Sequence, residues 1–202
     1  MLGVILAGGQ ARRLGGGGKA LVEVGGRPLL AHAIERLAPQ VSDIVINANG
    51  DASRFDSFGL PVVADTVAGF AGPLAGVLAG LDWAAANVPG CERVVTVATD
   101  APFFPNDLVA RLVAATDAEG TALACAASGG RNHPVFGLWP VDLRDDLRRA
   151  LVEEEIRKVD LWTARHRLAV VPFPVSGVDP FFNINRPEDV AAAAEFFTNL
   201  NS

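Results

Sequence analysis

The sequence predicts an α/β fold of Rossmann-like, three-layer α/β/α type, with a mostly parallel central sheet. Two observations carry this expectation. Short apolar, β-branched runs alternate with stretches of helical spacing through residue 118, and such alternation gives a parallel sheet covered on both faces. The chain has 202 residues, half of them apolar and a fifth charged. That is enough for one full core, so one domain over residues 1–202 is expected.

The elements follow in order. "GVILA" (3–7) reads as a buried strand. "ALVEVGGRPLL" reads as a short extended piece and a turn. "PLLAHAIERLAPQ" (28–40) has helical spacing, with Pro28 at its start and Pro39 near its end. "DIVINA" (43–48) and "LPVVAD" (60–65) are strands. "GPLAGVLAGLDWAAAN" (72–87) is helical, with Pro73 suited to the first turn. "RVVTVATD" (93–100) is a strand, and "PNDLVARLVAATDA" (105–118) a helix with an acidic first turn. "TALACAAS" (121–128) and "PVFGLWP" (134–140) are strands. Residues 142–155 and 156–166 read as helices, "LAVVPFPV" (168–175) as a strand and "RPEDVAAAAEFF" (186–197) as a last helix.

The totals exclude several classes. A net charge of −6 and a pI of about 5.0 argue against a nucleic-acid binder, which needs a basic face. The most apolar stretch, "VAGFAGPLAGVLAGL", is broken by Gly and Pro and is shorter than a bilayer span, so no membrane partner is expected. No basic segment precedes the first apolar run, so a secretory signal is not expected and the protein is placed in the cytoplasm. Cys91 and Cys125 are isolated, which fits free thiols in a reducing compartment. His32 and His166 lie in helical stretches and read as surface or packing residues.

The stretch from Gly8 to Lys19 holds six glycines, two arginines and one lysine. It fails as a P-loop, because Arg13 and Ala20 stand where that motif needs Gly and Ser or Thr. It fits a dinucleotide fingerprint poorly, since "GGGGKA" lies nine residues after the strand. A third model is a long loop closing over a nucleoside triphosphate. Glycines let backbone approach a phosphate or base, and Arg13 and Lys19 neutralise charge. Arg12 is as consistent with a surface charge. Composition alone leaves open a solvated loop with ordinary surface charges.

Ligands of such sheets sit beyond the carboxyl ends of the strands. Those ends hold Leu6, Ala7, Gly8 and Gly9, then Asn47, Asp65 and Asp100. Each polar residue among them is also a common turn residue.

The whole string resembles the nucleotidyltransferase superfamily (nucleotide-diphospho-sugar transferase type) and, within it, the molybdenum cofactor guanylyltransferases. The resemblance rests on "LAGGQARRLGGGGK", "GGRPLL", "INAN", "VVAD", "GPLAG", "VATDAPF", "RNHPVFGLW" and "FFNINRPED", in family order over nearly the full chain. One departure is Gly18, where the family often carries an acidic residue before the lysine.

The resemblance implies a reaction. The terminal phosphate of molybdenum-molybdopterin attacks the α-phosphorus of GTP, GMP is transferred and pyrophosphate leaves, with Mg²⁺ as cofactor. It implies Lys19 and Asp100 as catalytic residues, with Asp100 on the metal. It implies nucleotide contacts from Leu6, Ala7, Gly8, Gly9, Arg13, Lys19, Asn47, Asp65, Gly72, Pro73, Leu74 and Asp100. The N-terminal half would then bind the nucleotide and the C-terminal half the pterin acceptor, through His133, Asn183 and Asn185, with Asn185 also assisting the metal. Transient partners would be proteins that supply molybdopterin and apo-molybdoenzymes that receive the product. The rivals are a cytidylyltransferase acting on the same pterin, a sugar-phosphate nucleotidyltransferase, and a non-catalytic pterin or nucleotide carrier.

Overall fold

The computed structural model describes residues 1–8, 18–67, 69 and 72–200, with residues 195–200 described by their backbone. The expectations for Gly9, Arg12 and Arg13 lie outside the described residues.

Strand β1 (Leu2–Leu6) is followed by a two-stranded hairpin, β2 (Glu23–Val24) and β3 (Arg27–Pro28), then α1 (Leu29–Leu37), β4 (Asp43–Asn47) and β5 (Val62–Val63). Next come α2 (Pro73–Asn87), β6 (Arg93–Ala98), α3 (Leu108–Glu119), β7 (Leu123–Ser128) and β8 (Arg131–Pro140). The chain closes with α4 (Arg144–Val152), α5 (Val159–Thr163), β9 (Leu168–Pro172) and α6 (Pro187–Leu200). Seven strands form one sheet in the order β5-β4-β1-β6-β8-β7-β9. Its pairings are parallel except at β8, which runs against both β6 and β7.

The period-2 alternation of the strands divides the core into two layers. Ile5, Ile46, Val95 and Val97 face α1 and α3, packing with Leu30, Leu37, Leu108 and Leu112. Leu2, Val4, Val45 and Val94 face α2, α4 and α5, packing with Leu78, Leu147 and Trp162. A third cluster, with Val24, Leu29, Phe103, Ile184 and Ala193, fastens α6 to the hairpin.

Several boundaries differ from the sequence-based expectation. Helix α3 starts at Leu108 after a turn closed by Leu108 N–H on the Pro105 carbonyl. Asp107 is therefore the residue before the helix, and the expected acidic first turn is absent. The helix expected over 142–155 is a single 3₁₀ turn, Val141–Leu143, followed by α4. Three successive glutamates, 153–155, follow α4; negative charge is unfavourable at a helix C-terminus. The Ile156 amide instead closes back on the Ala150 carbonyl at 2.9 Å, which confines the expected helix 156–166 to α5.

Strand β8 begins three residues earlier than expected, at Arg131, and carries Pro134 inside it. A proline removes a ladder donor and is tolerated at bulges. Here Cys125 pairs with Gly137 while Ala126 pairs with His133, so residues 134–136 form a bulge opposite that step. The buried Thr96 hydroxyl fixes it, donating to the Val135 carbonyl at 2.7 Å and accepting from the Trp139 indole at 2.8 Å. No helix among the described residues is long and apolar enough to cross a membrane.

Helix α2 lies unusually close to the sheet. A Cβ on Gly80 would stand 2.6 Å from Cγ2 of Val4, a buried side chain with no room to turn. We predict that Gly80→Ala lowers unfolding free energy by about 1–3 kcal/mol, the usual effect of an extra methyl in a packed core. Denaturant midpoints of the two proteins give the difference; equal midpoints would show that α2 can lift off β1 freely.

Candidate active site

The strand order creates the crevice. β1 leads outward to β4 and β5, and the chain then crosses back to β6 on the other side of β1. In open α/β sheets such a reversal leaves a gap beyond the carboxyl ends, where ligands bind. Backbone bonds hold the rim of this gap. Ala7 N–H donates to the Asn47 carbonyl at 2.8 Å, and Thr99 N–H to the Leu6 carbonyl at 3.3 Å. Gly8 is exposed there, and among the described residues a Cβ on it would meet nothing within 4 Å.

Lys19 enters from the adjoining segment. It opens a 3₁₀ turn, Lys19–Leu21, whose second residue, Ala20, is only 1% exposed. Gly18 precedes it at φ +93, a conformation that suits glycine. The Lys19 side chain is only 11% exposed, and its ammonium donates to Asp100 Oδ2 at 2.6 Å. It also donates to Asn185 Oδ1 at 2.5 Å. A cation this buried requires paired oxygens. Asp100 follows the end of β6. Asn185 is held from both sides: Ile184 N–H donates to the Asp100 carbonyl at 2.7 Å, and Asp189 Oδ2 accepts from Asn185 N–H at 2.8 Å and Arg186 N–H at 2.9 Å.

Across the gap, Asn47 and Asp65 form a bracket. The Asn47 amide donates to Asp65 Oδ1 at 3.0 Å and to the Val63 carbonyl at 3.2 Å. Asn49 Nδ2 donates to Asp65 Oδ2 at 2.7 Å, and Asn49 Oδ1 accepts from the Asp65 amide at 2.9 Å. Asn47 is only 5% exposed. What this pair offers the crevice is thus the half-buried Asp65 carboxylate, aimed by two amides. Gly72 and Pro73 lie exposed at the start of α2, with Pro73 in its first turn, whereas Leu74 is buried in the core.

His133 does not join the Lys19 cluster. Its ring stacks on Phe181 at 4.6 Å between centroids, and its Nε2 lies 2.7 Å from Ser128 Oγ. Asn183 is exposed on the same 179–185 segment, two residues before Asn185. So Lys19, Asp100 and Asn185 are brought together, while His133 sits on β8, stacked on Phe181, and Asn183 lies on the strap two residues before Asn185. Asn49, Ser128, Asp179 and Asp189 were missing from the sequence-based set. Asn49 could have been found in "INAN", and Asp189 from its position three residues into a helix start. Ser128 and Asp179 read as ordinary strand-end and turn residues and carry no such signal.

Burial sets the histidine chemistry. Desolvation lowers the His133 pKa below its usual value, and the Asp179 carboxylate only partly offsets this. Desolvation likewise lowers that of His32, although its Nε2 bonds the Val24 carbonyl at 2.9 Å. The Cys125 thiol is pushed up to about 11 by burial, which keeps it protonated and inert.

With this geometry in hand, comparisons with known proteins converge. Residues 3–168 match the family described as MobA-like NTP transferase domain. A molybdenum cofactor guanylyltransferase from Bradyrhizobium sp. (strain ORS 278) is 61% identical over 191 residues, 95% of this chain and 90% of its own. Among solved structures, molybdopterin-guanine dinucleotide biosynthesis protein A of Archaeoglobus fulgidus superposes with a TM-score of 0.75 at 24% identity, covering 98% of this chain and 100% of its own. A Mycobacterium tuberculosis H37Rv protein in complex with manganese superposes with a TM-score of 0.66 at 18% identity, covering 96% and 97%. The two structures share the fold.

The lowered histidine pKa values make stability depend on pH. A depressed folded pKa means that the unfolded chain binds the proton more readily, so the contribution is present above the unfolded value near about 6.5 and is lost as pH falls through the folded value. We predict that the urea midpoint falls between about pH 7 and pH 5, and that His32→Gln flattens this slope. A midpoint that is constant over this range would contradict the burial of both imidazoles.

Proposed function

The chain belongs to the MobA-like NTP transferase family, and from that membership we propose that it transfers GMP from GTP to the phosphate of molybdenum-molybdopterin. The products are molybdopterin guanine dinucleotide and pyrophosphate. The observation that carries the reading onto this chain's own atoms is the convergence of Lys19, Asp100 and Asn185 in the crevice beside β1 and β6.

In this reading the acceptor's terminal phosphate oxygen attacks the α-phosphorus of GTP. A new P–O bond forms as the bond to the β-phosphate oxygen breaks. Catalysis of this kind is mostly positioning and neutralisation of charge. The Lys19 ammonium stabilises the negative charge that grows on the departing pyrophosphate. Gly8, which carries no Cβ, lets the backbone approach the base. Asp65, aimed by Asn47 and Asn49, fixes the nucleotide on the β4 side. The first turn of α2 adds backbone donors from its N-terminus.

A divalent ion of the magnesium type belongs to this reading. The residues present fit it: one carboxylate and one amide oxygen already converge on a cation, the Lys19 ammonium. Among the described residues no group of three or more His, Cys, Asp or Glu forms a cage. That suits an ion which takes oxygen donors and keeps waters and phosphate oxygens for its remaining positions. Asp100 and Asn185 would hold it, and when bound it neutralises phosphate charge. The manganese in the fold neighbour supports a divalent metal without choosing among them.

Two predictions test these roles. Lys19→Ala is expected to lower turnover by about a hundredfold or more, about 3 kcal/mol of transition-state stabilisation, and Asp100→Asn to abolish the dependence on added Mg²⁺. Pyrophosphate release under saturating GTP, with the melting temperature recorded beside it, is the measurement. Near-normal rates in both variants would reduce the pair to a structural salt bridge.

The second concerns the base. Wild type is expected to prefer GTP to CTP, and Gly8→Ala to narrow the preference by crowding the purine. Because a Cβ at Gly8 meets no atom of the described residues within 4 Å, the variant should fold normally. One methyl is worth about 1–3 kcal/mol in a pocket, so the ratio of kcat/KM values for GTP and CTP should erode without reversing. A wild type that favours CTP overturns the guanylyltransferase reading, and no turnover with either nucleotide favours a carrier.

A further inference from the structure

His133 is a half-buried titratable group outside the Lys19 cluster, and it ends a chain of hydrogen bonds that runs through Ser128 and Asp179 to the Phe181 amide. Ser128 Oγ lies 2.7 Å from His133 Nε2 and 2.7 Å from Asp179 Oδ1. Asp179 Oδ1 also accepts from the Phe181 amide at 2.9 Å. A carboxylate only accepts, so the single Ser128 proton goes to Asp179. Ser128 Oγ must then accept from His133, whose proton therefore sits on Nε2. The order is the reverse of a nucleophilic triad, where histidine takes the serine proton. This arrangement does not activate Ser128 for attack.

What it does is tie two parts of the chain together. Ser128 and His133 lie on β7 and β8, joined by the two-residue turn Gly129–Gly130, with φ values of +52 and +77. Asp179 and Phe181 begin the strap that ends in Asn185. Phe181 is 2% exposed, stacked on His133 and edge-on to Phe136 at 4.9 Å. The bulge at 134–136 aligns the His133 ring with this strap.

We infer that Ser128 and Asp179, with His133 donating to Ser128, are positioning residues that set the 179–185 strap so that Asn185 meets Lys19 and Asp100. The inference rests on the reading of that cluster as the reaction centre. The hydrogen bonds described for the three run to one another and to the Phe181 amide. They act through the register of the strap, and Asp179 is the hub, since it holds both the strap's own Phe181 amide and the Ser128 anchor.

A double-mutant cycle with the full-length protein tests this. Ser128→Ala and Asp179→Ala are each expected to lower kcat about five- to tenfold with little change in KM for GTP, because small displacements of a positioned group cost rate. Asp179→Asn keeps an oxygen that accepts both bonds and should retain most of the rate. In an Asn185→Ala background, Ser128→Ala should add little, since residues acting through one another are not additive. A second readout needs no turnover: the side-chain amide signals of Asn185, assigned by their loss in Asn185→Ala, should shift in Ser128→Ala and stay put in Asp179→Asn. Effects that multiply in the double variant, or Asn185 signals that do not move, overturn the inference. Absence of transfer in wild type would instead strike the functional reading, leaving the amide signals to decide this one.

Discussion

A lysine side chain only 11% exposed must find oxygen partners within the fold, and this requirement organises the crevice. Lys19 meets Asp100, 81 residues on, and Asn185, 166 residues on. Each arrives on a separately fixed element: a turn pinned by buried Ala20, the end of β6, and a strap pinned by Ile184. The cost of burying charge is offset only while all three keep their places. A slip of β6 by one residue against β1 would send alternate side chains to the other face. The register Leu6↔Ala98 is therefore a condition of the site as well as of the sheet.

The bracket on the other side of the crevice depends on atoms that are absent. A Cβ on Gly76 would collide with Asn47 Oδ1 and with Leu6 Cδ2. Because α2 has glycine there, the Asn47 side chain keeps its oxygen towards the helix and its amide towards Asp65 and Val63. Gly80, one turn later, performs the same service for Val4. Spacing of four residues puts both glycines on the face that meets the sheet. The helix thus approaches closely enough to set the orientation of the Asp65 carboxylate through Asn47.

Much of this was legible in the sequence because it follows from local pattern. The β-branched runs of β1, β4 and β6 and the helical spacing of α1 and α2 fix which carboxyl ends share an edge, and Asp65 and Asp100 stand at two of them. The ends of α4 and α5 were not legible, because the glutamates after α4 and the turn at Ile156 compete with a pattern that still looks helical. The Lys19–Asn185 contact could not be read from spacing: the packing of Ile184 in the cluster with Phe103 and its amide bond to the Asp100 carbonyl bring residue 185 to the end of β6. Nor could Ser128 and Asp179, whose meaning depends on a bulge that Pro134 hints at and Thr96 completes.

The antiparallel strand explains how one edge comes to hold so many polar groups. Parallel strands bring only their carboxyl ends to that edge. β8, running the other way, brings its amino end, so Arg131 and His133 reach the edge opposite Ser128. The bulge then uncouples the two ends of β8. Its far half keeps a regular ladder with β6 and buries Leu138 and Trp139 in opposite layers, while its near half is free to orient His133 towards Phe181. Without residues 134–136 left over, the pleat would carry the constraints of the core through to the edge. The bulge separates what the sheet needs for stability from what the strap needs for placement, and the strap is the route by which the last quarter of the chain reaches Lys19.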